Sequence, residues 1–108
     1  MASDTTLNDA SIRRHYDEQS RKWYFSVVDT IAITTDSSDA RNYWKVLKNR
    51  LYKAHPELVT NCNQLKMKAR DGKSYLTDAA DSETMLEIIA TISSDSVTPL
   101  RLYFEKIE

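Results

Sequence analysis

Residues 39–54 read DARNYWKVLKNRLYKA, and the helix they spell organises everything around it. Ala40, Tyr43, Trp44, Leu47 and Leu51 recur at helical spacing and make one apolar stripe. Arg41, Lys45, Lys48 and Tyr52 recur at the same spacing and read as the opposite side, with Asn42, Asn49 and Lys53 beside them. After Asp39 the helix contains no acid. A solvated helix ordinarily interleaves Glu with Lys one turn apart to offset its charges. A face of Lys, Arg, Asn and Tyr suits a polyanion, because the cations pair with phosphates while the amides and the phenol reach base edges. A basic face that is merely solvated is the alternative.

The flanking residues bound this helix. Ser38 reads as its N-cap, with Asp39 placed favourably in the first turn against the helix dipole. Pro56 stops it and pushes His55 out of the α region. Upstream, Ser26-Val27-Val28-Asp29 has capping-box spacing with Asp in place of Glu. It starts a short helix, with Val28, Ile31 and Ala32 facing the core, that ends near Thr34 because TTDSSD is rich in turn formers. Before it, SIRRHYDEQSRKWYFS predicts a hairpin: Ile12, Arg14 and Tyr16 alternate, DEQS turns the chain, and Lys22–Phe25 returns with aromatic β-formers.

Downstream, ELVTNCNQLKMKARDGKSYLTDAAD predicts a second hairpin. Asp71-Gly72 is its turn signal and holds the only glycine of the chain. A two-residue turn there puts Leu65, Met67, Ala69 and Leu76 on one face, and Lys66, Lys68, Arg70, Lys73 and Tyr75 on the other. The second face is a basic strip with an aromatic in it, or simply a solvated face. Asp81 or Ser82 caps a further helix whose Met85, Leu86, Ile88, Ile89 and Ile92 form an apolar stripe. A last helix is expected from Pro99 onward. Its Leu100, Leu102, Tyr103, Phe104 and Ile107 require deep docking or a partner.

The pieces predict an α+β fold, two β-hairpins packed with about four helices, as a single domain over residues 12–108 behind a flexible arm at 1–11. A basic second helix followed by a basic hairpin resembles a helix-turn-helix with a wing. The expected core is Trp23 or Phe25, Ile31, Trp44, Leu47, Leu51, Met67, Leu76, Leu86 and Ile89.

Composition narrows the function. The 108 residues suffice for one modest core. The net charge of −1 conceals asymmetry: residues 41–53 carry five basic side chains and no acid, whereas 78–87 hold Asp78, Asp81, Glu83 and Glu87. The local field, not the sum, decides whether a polyanion binds. The single cysteine, Cys62, rules out an intramolecular disulfide, fits a reducing cytoplasm, and reads as a structural thiol. No apolar run is long enough for a membrane span, and the polar N-terminus is no signal peptide. One glycine is too few for a Gly-rich phosphate loop, and neither His15 nor His55 has metal-ligand neighbours. No nucleophile, base and orienter set is recognisable, so neither an enzyme nor a cofactor or metal is expected.

Specific strings bring in a family. WYFSVVDTIAITTDSSDARNYWKVLKNRL, VTNCNQLKMKARDGKSYLTDAAD and the Pro99-started end resemble the BRO-N domain. This is the amino-terminal domain of phage antirepressors, baculovirus repeated-open-reading-frame proteins and the bacterial DNA-damage-inducible protein D group. The resemblance covers almost all of the chain after residue 11. It implies a DNA-binding α+β module, usually followed by a variable carboxy-terminal domain, and no catalytic residues. It carries over no individual DNA contact.

The expected function is a DNA-binding regulatory module of phage or prophage antirepressor type, acting on duplex DNA. On charge and periodicity, Arg41, Lys45, Lys48, Lys53, Lys66, Lys68 and Lys73 meet phosphates, and Asn42, Asn49 and Tyr52 approach base edges. The alternative is a protein-interaction module that captures a repressor or a recombination protein without binding DNA itself. It would work through the apolar C-terminal helix and the acidic 78–87 segment.

Overall fold

The computed structural model describes residues 5–7, 10–35, 38–69, 71–92 and 104–105. Arg70 and most of the expected C-terminal helix, including Tyr103, lie outside the described residues. In chain order the elements are β1 (Thr5–Leu7), β2 (Ala10–Ile12), β3 (Arg14–Asp17), β4 (Lys22–Ser26), α1 (Val27–Thr35), α2 (Ala40–Ala54), α3 (Pro56–Thr60), β5 (Asn63–Lys68), β6 (Ser74–Asp81) and α4 (Ser82–Ile89). The fold is α+β. Strands β3-β4-β6-β5 form one antiparallel sheet in that order, and β1 pairs with β2 in a separate two-stranded ribbon. Within the expected arm, Thr5–Leu7 pair with Ala10–Ile12, Leu7 opposite Ala10 and Thr5 opposite Ile12.

Helix α1 follows β4 without a loop. The Ser26 hydroxyl accepts from the Asp29 N–H at 3.2 Å, as a capping box requires. The Asp29 carboxylate does not complete the box. It takes the Arg13 Nε and Nη2 at 2.8 and 3.1 Å and the Arg13 backbone N–H at 2.9 Å. The Ser26 N–H finds the Arg13 carbonyl at 2.9 Å instead. Ala32, an expected core residue, is exposed, while Val27, Ile31 and Ile33 are buried. Thr30 and Thr34 are also buried, and each hydroxyl donates to the carbonyl one turn back.

Helix α2 runs between the expected limits. Its N-cap is Asp39 rather than Ser38, accepting from the Asn42 N–H at 3.2 Å. The helix ends at Ala54, with His55 held at φ −142° ahead of Pro56. Pro56 then occupies the first turn of α3, a five-residue helix absent from the sequence reading. Helices α1 and α2 pack on each other, and Trp44, Leu47 and Leu51 enter a core shared with Phe25, Ile31, Met85, Ile88 and Ile89. Leu86 packs half-buried against that core. Asp81 caps α4 by accepting from the Thr84 N–H at 2.9 Å. Phe104 is fully buried and meets Phe25 edge-on, ring centroids 5.1 Å apart, so this part of the C-terminal segment is docked.

The second hairpin corrects the expected faces. Lys66 pairs with Leu76, Met67 with Tyr75 and Lys68 with Ser74. The Ala69 N–H bonds the Lys73 carbonyl at 2.8 Å, so three residues, not two, make the turn. Gly72 sits in its left-handed position at φ +87°. One added residue flips the return strand. Leu76 parts from Met67 and is 62% exposed on the face of Asp78 and Ala80, whereas Tyr75 joins Met67. Among the described residues, no helix is long and apolar enough to cross a membrane.

Candidate nucleic-acid interface

The outer surface of α2 carries most of the residues singled out by charge. Arg41, Asn42, Lys45, Asn49, Tyr52 and Lys53 are exposed, and so is Arg50, which the helical row did not include. Lys48 is different. It is half-buried, and its ammonium lies 2.8 Å from the Asp78 carboxylate. The reason is helical geometry. The Arg41–Lys45–Lys48 row is not opposite the apolar stripe but on its flank, and Lys48 stands one turn beyond buried Trp44. Both side chains reach the same acid, because the Trp44 indole N–H donates to Asp78 at 2.8 Å. Lys48 is thus a structural cation. Nothing local in the sequence marks this, since Asp78 lies 30 residues away in a segment read as acidic in its own right.

Burial pushes the Asp78 carboxyl up. The Lys48 and Trp44 hydrogen bonds, the Lys48 charge and the Gln64 amide together outweigh that and hold it below its ordinary value. Cys62 sits close by, its thiol donating to the Leu58 carbonyl at 3.4 Å. Burial, reinforced by the Asp78 charge against the opposing Lys48, pushes that thiol up to about 11. A thiol so seldom ionised is a poor nucleophile.

On the hairpin, Lys66, Lys68 and Lys73 are exposed. Strand alternation puts Gln64, Lys66 and Lys68 of β5 on one face with Ser74, Leu76 and Asp78 of β6. That face is the one whose Asp78 grips α2, so Lys66, Lys68 and the α2 flank belong to one side of the hairpin, whereas Lys73, opposite Ala69, falls on the other face with Tyr75. Arg41, Lys45, Lys53, Lys66, Lys68 and Lys73 make no side-chain hydrogen bond or ion pair among the described residues. Tyr75, expected within the basic strip, lies on the other face, and its hydroxyl donates to Asp71 at 2.6 Å. That bond lowers the Asp71 carboxyl and raises the phenol.

Beyond β4, the edge of β6 from Ser74 to Asp78 is not paired by another strand among the described residues, because β4 covers only Ala79–Asp81. Helices α1 and α2 approach there and leave a cleft of about 410 Å³. Arg41 and Trp44 wall it from α2, Gln64 from β5, and Leu76 and Asp78 from β6. Arg13 also borders it. Its Nη1 donates to the Lys68 carbonyl at 3.1 Å while its other nitrogens hold Asp29, so one guanidinium fixes the end of the hairpin to the start of α1.

No protein-family model, no curated protein and no solved structure matches this chain.

Proposed function

We propose that the chain is a DNA-binding regulatory module of the phage or prophage antirepressor kind. The observation that carries the reading is a set of cations without acidic partners. Arg41 and Lys45 on α2, and Lys66 and Lys68 on the neighbouring hairpin face, are exposed and unpaired among the described residues. Four phosphate contacts imply a log–log salt slope of about −4. Asn42, Asn49 and Tyr52, exposed on the same helix, are the candidates for base edges. The arrangement of α1, a short turn, basic α2 and a basic hairpin supports the reading by analogy with winged helix-turn-helix modules. The BRO-N resemblance supports it only through the strings in which it is written, with no family model beside them. Burial of Phe104 removes one residue on which capture of a repressor or recombination protein relied.

Fluorescence-anisotropy titration of random duplex at several salt concentrations tests this. Binding should weaken steeply with salt. Lys45→Ala should weaken it on every sequence alike and flatten the slope by about one unit, whereas Asn49→Ala should matter only on a preferred site. Absence of binding to duplex and single-stranded DNA at low salt would overturn the proposal in favour of protein capture.

A further inference from the structure

The cleft beside α2 combines features that a purely phosphate-binding groove does not need. Arg41 brings a guanidinium with no acid against it among the described residues, since Asp78 is already taken by Lys48 and Trp44. In the same cleft lies Leu76, at 62% the most exposed large hydrophobic among the described residues. Its cross-strand neighbour is Lys66. Tyr75, also exposed, lines the same cleft, so Leu76 and Tyr75 make a small apolar surface beside the cations. It is explained when a flat apolar body lies against it while an attached anion meets the cations. Gln64 contributes an amide with its carbonyl unused, beside the Asp78 carboxylate that its Nε2 meets at 3.4 Å. An exposed amide carbonyl and amide N–H lining a cleft suit the polar edge of a base.

We propose that this cleft takes one unpaired nucleotide of a DNA strand, its phosphate on Arg41, its base against Leu76 and its polar edge toward Gln64. The inference rests on the DNA-binding reading and makes it more specific: the module prefers DNA with a base out of the stack. Unpaired bases are available without the cost of opening a duplex, so the preference appears only for DNA that already contains them. Stacking of a base on an aromatic ring is worth about tenfold or more in affinity, and Tyr75 lines the same cleft.

The experiment uses the full chain at one low salt concentration and two fluorescent DNAs. One is a perfect duplex. The other is the same duplex with a single extra adenine, replaced by 2-aminopurine in a parallel measurement. The bulged DNA should bind about tenfold more tightly, with the 2-aminopurine emission changing as the base leaves water. Leu76→Ser, at an exposed position and checked by its melting curve, should bring the two affinities together. Equal affinity of the intact chain for both DNAs would overturn this inference and leave the DNA-binding proposal standing. Binding to neither would overturn both. A preference that persists unchanged in Leu76→Ser would place the unpaired base elsewhere and overturn the assignment of the cleft.

Discussion

The two hairpins look alike in sequence and behave differently in the fold. RRHYDEQSRKWY and QLKMKARDGKSYL each mix cations with aromatics around a polar turn. In the β3–β4 hairpin all the Arg and Lys cations but Arg21, exposed in the turn, are spent internally. Arg13 is bound to Asp29, Arg14 lies 4.5 Å over the Trp23 ring, and Lys22 pairs with Asp81 at 3.2 Å. Tyr16 leans on Trp23 as well, centroids 5.2 Å apart. In the β5–β6 hairpin Lys66, Lys68 and Lys73 have no such partners among the described residues. Counting charges along the chain does not separate these cases. Whether an acid or a ring lies within reach does, and that depends on residues far away in sequence. The turns differ too: the left-handed residue is Gly72 in one hairpin and Arg21, at φ 58°, in the other.

Replacing a spent cation should damage the fold and spare the proposed function. Arg13→Ala removes a two-pronged bond to a partly buried carboxylate and the tie to the Lys68 carbonyl. It should cost about 1.5–3 kcal/mol in urea unfolding, with the DNA salt slope unchanged. A loss within measurement error would mean that Arg13 is as idle as Lys66.

Lys48 sharpens the comparison because it is a spent cation on the helix where its neighbours are free. Asp78→Asn should destabilise the domain by about 1–3 kcal/mol and release Lys48, steepening the salt slope by up to about one unit. The pH dependence has a defined sign. Lys48, Trp44 and Gln64 overcome the effect of burial and hold the folded Asp78 carboxyl below its ordinary value. The unfolded chain therefore binds this proton more readily. Stability from Asp78 is complete above the ordinary aspartate value of about 3.9 and is lost as pH falls through the lower folded value. Asp81, lowered by its bonds to Thr84 and Lys22 against burial, adds a contribution of the same sign. Urea midpoints measured downward from about pH 6 should fall more steeply in the intact chain than in Asp78→Asn.

The smallest effect concerns the turns. Arg21→Gly relieves a left-handed conformation that costs a side-chain-bearing residue about 1 kcal/mol, offset in part by the extra freedom of glycine in the unfolded chain. A gain of a few tenths of a kcal/mol in thermal unfolding is expected. Gly72→Ala should instead lose stability, although open space surrounds its Cα.

What could be read in advance, and what could not, follows the range of the forces involved. Helix α2 was legible because its stripe is periodic and because Asp39 and Pro56 mark its ends locally. The cap at Asp81 was legible for the same reason. Ser38 and Asp39 are both good caps, so the local sequence does not separate them, and Asp39 takes the position. Helix α3 escaped because five residues after a proline show no period. Leu76 and Tyr75 changed places because Asp71-Gly72 announces a turn without giving its length, and one residue reverses every side chain that follows. Lys48 and Arg13 were out of reach for a different reason. Their partners Asp78 and Asp29 are brought beside them only by tertiary packing.

The most direct test of the account compares salt slopes for duplex binding by the intact chain, by Lys66→Ala/Lys68→Ala and by Lys22→Ala. The account predicts a slope near −4 for the intact chain, flattened by about two units when the two hairpin lysines are removed and unchanged when Lys22 is removed. Equal flattening by Lys22→Ala, or a slope that ignores Lys66 and Lys68, would contradict the division between spent and free cations on which the proposed interface stands.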